Sequence, residues 1–342
     1  MTFKSLPQSS LKKRIDPQMR LQRERLLDVV GPKGFYGIRD LSERRSRFEK
    51  IMAVAAIRGP DVSRVSRRDI WVMHNVRGRE LMVRLYRPAN CDEVLPGILY
   101  LHGGGMIMGS VAADDGFAAA LSEDMRSTVI SVEYGLAPES CGVEPVEDCY
   151  QALLWVQENA VFHGIDPDRL ALFGASAGGG LACSLAMLVR DRGGPCLLHQ
   201  MLIYPMLDDR NHTRSSHAVV DLGIWDRPAN IEAWKYMLGD DWGTDRVSHY
   251  VAPARALDLR DLPPTYIEVG TLDLFLDEDV EFAARLKKHG VAVELHKYEG
   301  AYHGFDQLAP SADTSQKAIR NRIAALMWAF DNSKNGDVRG RT

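Results

Sequence analysis

Cysteine is scarce in this sequence, and its placement indicates neither a disulfide framework nor a zinc site. The 342 residues include five cysteines, an odd number, and no two of them are spaced as Cys-x-x-Cys. The ten histidines include no His-Glu-x-x-His pair. We therefore interpret the cysteines as reduced packing residues and predict no metal site.

Long apolar runs and blocks of basic residues are also absent. No stretch approaches the roughly eighteen apolar residues of a membrane span, and residues 1–16 lack the apolar core of a signal peptide. The net charge is −4, and no dense basic block suggests nucleic acid as a partner. We predict a cytoplasmic protein with no stable membrane association.

The sequence does contain a regular alternation of short apolar segments with helical segments of ten residues or more. It begins near Asp69 and predicts a mostly parallel, doubly wound α/β sheet. The predicted strands are Ile70–Val76, Glu80–Tyr86, Leu95–Leu101, Thr128–Glu133, Arg169–Phe173, Leu198–Tyr204, Thr265–Val269 and Val291–Tyr298.

Two segments do not follow this alternation. Residues 1–65 are polar and have helical spacing without a strand pattern, and residues 208–250 hold three tryptophans and one predicted helix. We therefore predict a catalytic domain over 66–207 and 251–332, N-terminal helices, an insertion, and a flexible tail over 333–342.

A serine lies on a sharp turn between a predicted strand and a predicted helix. Ser176 has Gly174 two residues before it and Gly178 two residues after it. Such a turn strains the serine backbone and exposes the hydroxyl, while the glycines remove side chains that would collide. The following helix directs its first amides toward a ligand of the serine. Because a glycine-rich turn is also common without function, this nucleophile-elbow interpretation depends on the rest of the chain.

A serine nucleophile needs a base, and the base needs a residue that orients it. His303 is the best candidate base, because it lies between glycines in the loop after the last predicted strand. Asp273 follows another predicted strand and is the preferred orienting carboxylate. Asp277 and Glu278 remain alternatives, although acidic residues in the first turn of a helix are favourable without any catalytic role.

A run of three glycines follows the buried strand that ends at Leu101. Backbone amides there could bind the oxyanion of an acyl-transfer reaction, where one donor contributes about 2.7–4 kcal/mol. The predicted donors are the amides of Gly104, Gly105 and Ala177. A flexible turn is the alternative interpretation of the glycine run.

Taken together, these motifs resemble the hormone-sensitive-lipase-like branch of the α/β-hydrolases. The match extends over about residues 70–330, and the motifs stand in the order of the family. The matching segments are His102–Gly105, Tyr134–Glu139, Gly174–Gly179, Asp273–Glu278 and His303–Phe305. Ala175 and Gly135 replace an aspartate and an arginine of the family pattern, which bears on subfamily and substrate rather than on the chemistry.

The resemblance implies an α/β-hydrolase fold and an esterase that uses an acyl-enzyme and no cofactor. The order serine, aspartate, histidine is the one expected for this fold. The resemblance also implies that residues 1–65 and 208–250 form a helical cap, and that His102 braces the glycine loop. Relatives often form dimers through the sheet edge, so a homodimer is a further expectation.

We therefore predict a serine carboxylesterase for short- to medium-chain acyl esters, with a small-molecule ester as its partner. Ser176 would be the nucleophile, His303 the base and acid, and Asp273 the orienting residue. An amidase, peptidase or carbamate hydrolase could use the same residues. A non-catalytic small-molecule receptor is a further alternative, but receptors of this family lack the catalytic histidine. The predicted substrate pocket is apolar and consists of Met106, Ile107, Met108, Leu274, Phe275, Phe305 and Trp225, with Met237 as a further candidate.

Overall fold

The computed structural model describes residues 8–57, 62–74 and 77–332, and within these ranges it contains one eight-stranded sheet. In chain order the strands are β1 (Val65–His74), β2 (Arg79–Pro88), β3 (Leu95–Leu101), β4 (Thr128–Val132), β5 (Ile165–Ala175), β6 (His199–Ile203), β7 (Thr265–Gly270) and β8 (Val293–Tyr298). Across the sheet they are ordered β1-β2-β4-β3-β5-β6-β7-β8. The pairs β1–β2 and β2–β4 are antiparallel and the other pairs are parallel, which confirms the predicted mostly parallel α/β sheet.

The helices of the described chain connect and flank these strands. They are α1 (Gln8–Arg14), α2 (Pro17–Val30), α3 (Leu41–Ile57), α4 (Asp115–Met125), α5 (Glu144–Asn159), α6 (Ala177–Arg192), α7 (Arg214–Ala218), α8 (Arg227–Leu238), α9 (Leu276–Lys288), α10 (Phe305–Leu308) and α11 (Asp313–Asn332). The sequence pattern did not predict α1, α7 and α10. These helices have seven, five and four residues, too few to produce a periodic apolar pattern.

The first strand differs most from its predicted bounds. It begins at Val65 rather than at Ile70, and all ten of its residues pair with β2. Residues 66–69 are exposed because β1 is an edge strand, so apolar alternation could not reveal them. The last two residues of the predicted strand, 75 and 76, lie outside the described residues, as does the predicted tail over 333–342.

The central strands position the candidate site. Every residue of β3, β4, β6 and β7 is buried, as expected for strands covered on both faces. Ligands of such sheets bind beyond the carboxyl ends of the strands. At this edge β3, β5, β7 and β8 lead into the loops that contain Gly104, Ser176, Asp273 and His303.

The two segments predicted as a cap contact each other. The guanidinium of Arg23, in α2, donates a 2.7 Å hydrogen bond to the Leu222 carbonyl. Arg44, in α3, forms an ion pair with Glu232 of α8. The division into catalytic and cap domains remains a prediction. Among the helices of the described ranges, none is long and apolar enough to cross a bilayer.

Candidate active site

Ser176 lies on a tight turn between β5 and α6, as the glycine spacing predicted. Its backbone has φ 57° and ψ −118°, which places it in a strained region for a residue with a side chain. A Cβ on Gly174 would lie 2.0 Å from the Gly178 carbonyl oxygen, and one on Gly178 would lie 2.0 Å from that of Leu101. Only glycine fits at these two positions, so the turn and the end of β3 pack directly against each other.

The structure brings Ser176, His303 and Asp273 together in one hydrogen-bonded chain. Nε2 of His303 lies 2.9 Å from Ser176 Oγ, and Nδ1 lies 2.8 Å from Asp273 Oδ2. All three side chains are buried. The Phe275 amide donates a 3.0 Å hydrogen bond to Asp273 Oδ1, so both oxygens of this carboxylate are bonded.

The two alternative carboxylates bond elsewhere. Asp277 Oδ2 accepts a 2.7 Å hydrogen bond from the Ser215 amide. Glu278 Oε1 accepts a 2.9 Å bond from the Leu207 amide, and burial raises the pKa of Glu278 well above its usual value. Of the three candidates, Asp273 is therefore the one that contacts the imidazole.

The glycine loop after β3 lies against the serine turn. A Cβ on Gly103 would be 3.6 Å from that of Ser176. Gly104 and Gly105 have φ of +121° and +65°, which glycine adopts readily. Among the residues that the structure describes, the amides of Gly104, Gly105 and Ala177 donate no hydrogen bond, so they remain available to a ligand.

These groups are the parts that nucleophilic acyl transfer requires. They provide a hydroxyl, an imidazole within hydrogen-bond reach of it, a carboxylate that fixes the imidazole tautomer, and backbone donors for a developing negative charge. Over the described ranges, no three His, Cys, Asp or Glu side chains are grouped so as to hold a metal ion.

The family model of the alpha/beta hydrolase fold matches residues 98–307 of this chain, a range that contains all of these groups. The chain belongs to the α/β-hydrolase fold family. This confirms the predicted resemblance to the hormone-sensitive-lipase-like α/β-hydrolases.

Relatives of this hydrolase include proteins named as esterases. It is 34% identical to "Esterase LipI" of Mycobacterium tuberculosis over 71% of this chain and 76% of the relative. It is 35% identical to "Carboxylesterase NlhH" of the same species, over 73% of this chain and 79% of the relative. Among solved structures, "Bacterial Heroin Esterase" aligns with a TM-score of 0.86 and 35% identity, over 93% of this chain and 98% of the other. The prediction of an enzyme of the carboxylic-ester hydrolase class is confirmed by these relatives.

A small cavity opens beside the hydroxyl of Ser176 in this hydrolase. Its volume is about 100 Å³, and Ser176, His303 and the loop Gly103–Gly105 form part of its wall. Of the predicted wall residues, Met108 and Trp225 do line it. A Cβ on Gly105 would lie 2.1 Å from the Trp225 indole, so this ring covers the glycine loop closely.

The structure places the other predicted wall residues outside the lining of this cavity. Each is at most 1% exposed, because its side chain packs within the core. Phe275 packs against His303, and Phe305 packs between Tyr204 and Tyr298. The residues concerned are Met106, Ile107, Leu274, Phe275 and Phe305, together with Met237.

The N-terminal helices supply much of the apolar wall instead. Phe48, Ile51 and Met52 line the cavity from α3, and Leu26 and Phe35 line it from the preceding segment. The sequence pattern did not predict these residues as part of the wall. The spacing i, i+3, i+4 of the three α3 residues does indicate one helical face, but it does not indicate what that face contacts.

Tyr204 is a further cavity residue that the sequence motifs did not indicate. It follows β6 directly, has φ +37°, and its ring lies edge-on to His303 at 4.8 Å between centroids. Its hydroxyl donates a 2.8 Å hydrogen bond to Asp306, which is also bonded by Arg322 at 2.6 Å. The hydrogen bond to Asp306, which is itself in a buried ion pair with Arg322, therefore holds the tyrosine ring against the imidazole.

His102 lies under the glycine loop rather than in the cavity. Its ring stacks on Tyr134 with centroids 4.2 Å apart, and its Nδ1 is 2.8 Å from the Gly103 carbonyl oxygen. Burial lowers the pKa of His102 to about 4, so the ring is neutral at pH 7. These contacts are consistent with the predicted bracing role.

Arg45 connects the N-terminal helices to the same loop. From α3, its Nε donates a 2.7 Å hydrogen bond to the Ile107 carbonyl, and its Nη2 donates a 2.8 Å bond to that of Ala137. Two further bonds of 2.9 and 2.8 Å join the guanidinium to Glu139. One side chain thus fixes α3, part of the cavity wall, relative to the loop that contains the free amides.

Proposed function

We propose that this hydrolase is a serine carboxylesterase that acts on short- to medium-chain acyl esters of small molecules through an acyl-enzyme intermediate. The observation that carries the proposal is the chain of hydrogen bonds from Ser176 through His303 to Asp273, with bond lengths of 2.9 and 2.8 Å. The named activities of the relatives support the ester as the substrate.

In the proposed reaction, Ser176 Oγ attacks the acyl carbonyl while Nε2 of His303 takes the hydroxyl proton. Asp273 accepts the hydrogen bond from Nδ1 and stabilises the imidazolium that forms. The amides of Gly104, Gly105 and Ala177 bind the oxyanion. His303 then protonates the leaving alcohol, which leaves the acyl group on Ser176. In the deacylation step, His303 activates the water that releases the acid.

The size of the cavity supports the short end of the acyl range. Its volume of about 100 Å³ is below the roughly 300–1,000 Å³ of sites for drug-sized ligands. Its wall includes apolar side chains such as Phe48, Met52 and Trp225, which favour an alkyl group by about 0.8 kcal/mol for each buried methylene. An acyl chain that outgrows the cavity would have to displace these side chains.

The test is the hydrolysis of p-nitrophenyl esters from acetate to palmitate by the wild type and by Ser176→Ala. We expect the wild type to favour the short chains. We expect the variant to lose about 10⁶-fold in kcat, because the hydroxyl that forms the acyl-enzyme is missing. Circular dichroism and thermal unfolding should show that the variant is folded.

Two outcomes would count against the proposal. Wild-type hydrolysis that persists in Ser176→Ala would show that this serine is not the nucleophile. Failure of the wild type on every ester would leave the amidase and receptor alternatives, which p-nitroanilides and direct ligand binding would then separate.

A further inference from the structure

A buried carboxyl group lies in the wall of the cavity, and the reaction proposed above does not use it. Asp114 is 4% exposed and lines the same cavity as Ser176 and His303. Much of the remaining wall consists of aliphatic and aromatic side chains. A carboxylate is costly in such surroundings unless its oxygens are hydrogen-bonded.

Helix capping does not explain this aspartate. Asp114 directly precedes α4, a position where aspartate commonly accepts a hydrogen bond from the first free amides of a helix. Its side chain makes no such bond. Instead, Oδ2 accepts a 2.6 Å hydrogen bond from the buried Tyr100 hydroxyl, so the side chain is held away from the helix that it would cap.

The second carboxylate oxygen of Asp114, Oδ1, has fewer hydrogen-bond donors than the oxygens of Asp273 and Asp306. Within the described chain, Oδ1 forms no hydrogen bond of normal geometry. The backbone amide of Gly103 does lie near enough to the carboxyl group to lower the pKa of Asp114. Asp273 and Asp306, which are also buried, have both oxygens bonded. Burial raises the pKa of Asp114 to about 6, as expected when hydrogen bonds only partly offset desolvation.

We propose that Asp114 is a substrate-binding residue that accepts a hydrogen bond from a hydroxyl or ammonium group on the ester in the cavity. The inference rests on the proposed function, since it concerns the substrate of that same site. A donor on the substrate would complete the bonding of Oδ1. An alkyl group of the same shape would cover Oδ1 and leave a buried acceptor unpaired, and sites with such a group discriminate strongly against analogues that lack the partner.

The test compares esters that differ only by a hydroxyl in place of a methyl. In the acyl arm, methyl 3-hydroxybutanoate is compared with methyl 3-methylbutanoate, and methyl 6-hydroxyhexanoate with methyl heptanoate. In the alcohol arm, 2-hydroxyethyl butanoate is compared with propyl butanoate. Methyl 3-aminobutanoate supplies the ammonium. We expect at least a tenfold preference in kcat/KM for the donor-bearing ester in one arm.

Three variants assign any preference to Asp114. Asp114→Leu should abolish or reverse it. Asp114→Asn keeps the shape and one acceptor oxygen, so it should lose the preference for the ammonium more than that for the hydroxyl. Asp115→Asn is the matched control, because Asp115 is adjacent in sequence but bonds Arg67 and Arg84 outside the cavity. It should keep the wild-type ratios.

Calorimetric binding of the same ester pairs to Ser176→Ala gives a second readout that needs no turnover. If the wild type hydrolyses plain esters but prefers the alkyl partner in every arm, the inference fails while the proposed function stands. An equal fall in kcat for both members of a pair, in Asp114→Leu or Asp114→Asn, would instead make Asp114 a positioning residue for Gly103. That result would also overturn the inference. If no ester is hydrolysed, the proposed function fails, and the binding ratios alone decide the role of Asp114.

Discussion

The two sides of the cavity are built in different ways. On one side, the loops at the carboxyl ends of the strands hold Ser176 and His303, and a Cβ added to either glycine of the serine turn would lie 2.0 Å from a backbone carbonyl oxygen. On the other side, α2 and α3 contribute apolar side chains such as Leu26 and Phe48. A side chain in a wall can be exchanged for another of similar volume, whereas a glycine in contact with backbone cannot. Changes on the first side should therefore affect the reaction itself, and changes on the second side should affect the choice of ester.

The largest expected effect, after the loss of the serine itself, is that of Asp273→Asn. Asparagine cannot hold the imidazole in the tautomer that accepts the serine proton, so we expect kcat to fall by about 10⁴ with every ester. Steady-state kinetics measures this fall in kcat. Asp277→Asn is the matched control, because this carboxylate bonds the Ser215 amide and not His303. Equal losses in the two variants would contradict the assignment of Asp273 as the orienting residue.

Gly105→Ala should have the next largest effect on kcat. The new Cβ would lie 2.1 Å from the Trp225 ring, at a φ of +65°. Either the ring or the loop must move, and a misplaced oxyanion donor costs about 10²–10³ in kcat. Gly290→Ala is the control, since Gly290 has a φ of +84° and open space around it. If Gly105→Ala changed only the KM of the longer esters, Gly105 would belong with the wall rather than with the reaction.

The sequence predicted the first side of the cavity well for a physical reason. Ser176 and Asp273 follow strands that end in buried, mostly apolar residues, His303 lies in the loop after the last strand, and parallel strands bring their carboxyl ends together. The spacing of Gly174 and Gly178 reflects contacts with backbone that tolerate no other residue. Such requirements leave a pattern in the sequence.

The second side could not be predicted in the same way. The spacing of Phe48, Ile51 and Met52 reveals an apolar face of α3, but the sequence does not specify which distant element that face covers. Met106 and Phe305 were expected in the wall because they adjoin the motifs. Their side chains point into the core instead. An aspartate before a helix, such as Asp114, is indistinguishable in sequence from an ordinary cap.

Arg45→Met tests the hydrogen bonds that connect the two sides of the cavity. Arg45 bonds the Ile107 carbonyl from α3, so its loss should loosen the loop and the wall together. We expect kcat/KM to fall about tenfold, or about 1.4 kcal/mol, with both kcat and KM affected. Arg47→Met is the control, because Arg47 pairs with Glu43 on the exposed face of the same helix. A change in KM alone would mean that the loop keeps its shape without the hydrogen bonds from Arg45.

The smallest effect on the reaction, and the clearest on selectivity, is expected from Phe48→Ala. Phe48 lines the cavity and packs edge-on against Phe35 with centroids 5.3 Å apart. Truncation should enlarge the cavity and leave the loops at the strand ends in place. The kcat for p-nitrophenyl acetate should stay within about twofold, while kcat/KM for longer esters should rise by about fourfold for each methylene that the new space accepts, given about 0.8 kcal/mol per buried methylene. Phe162→Ala, at a phenylalanine that is 80% exposed, controls for the loss of a ring. If Phe48→Ala lowered kcat for acetate as strongly as for the longer esters, the wall would take part in the reaction, and the two sides of the cavity would not be separable.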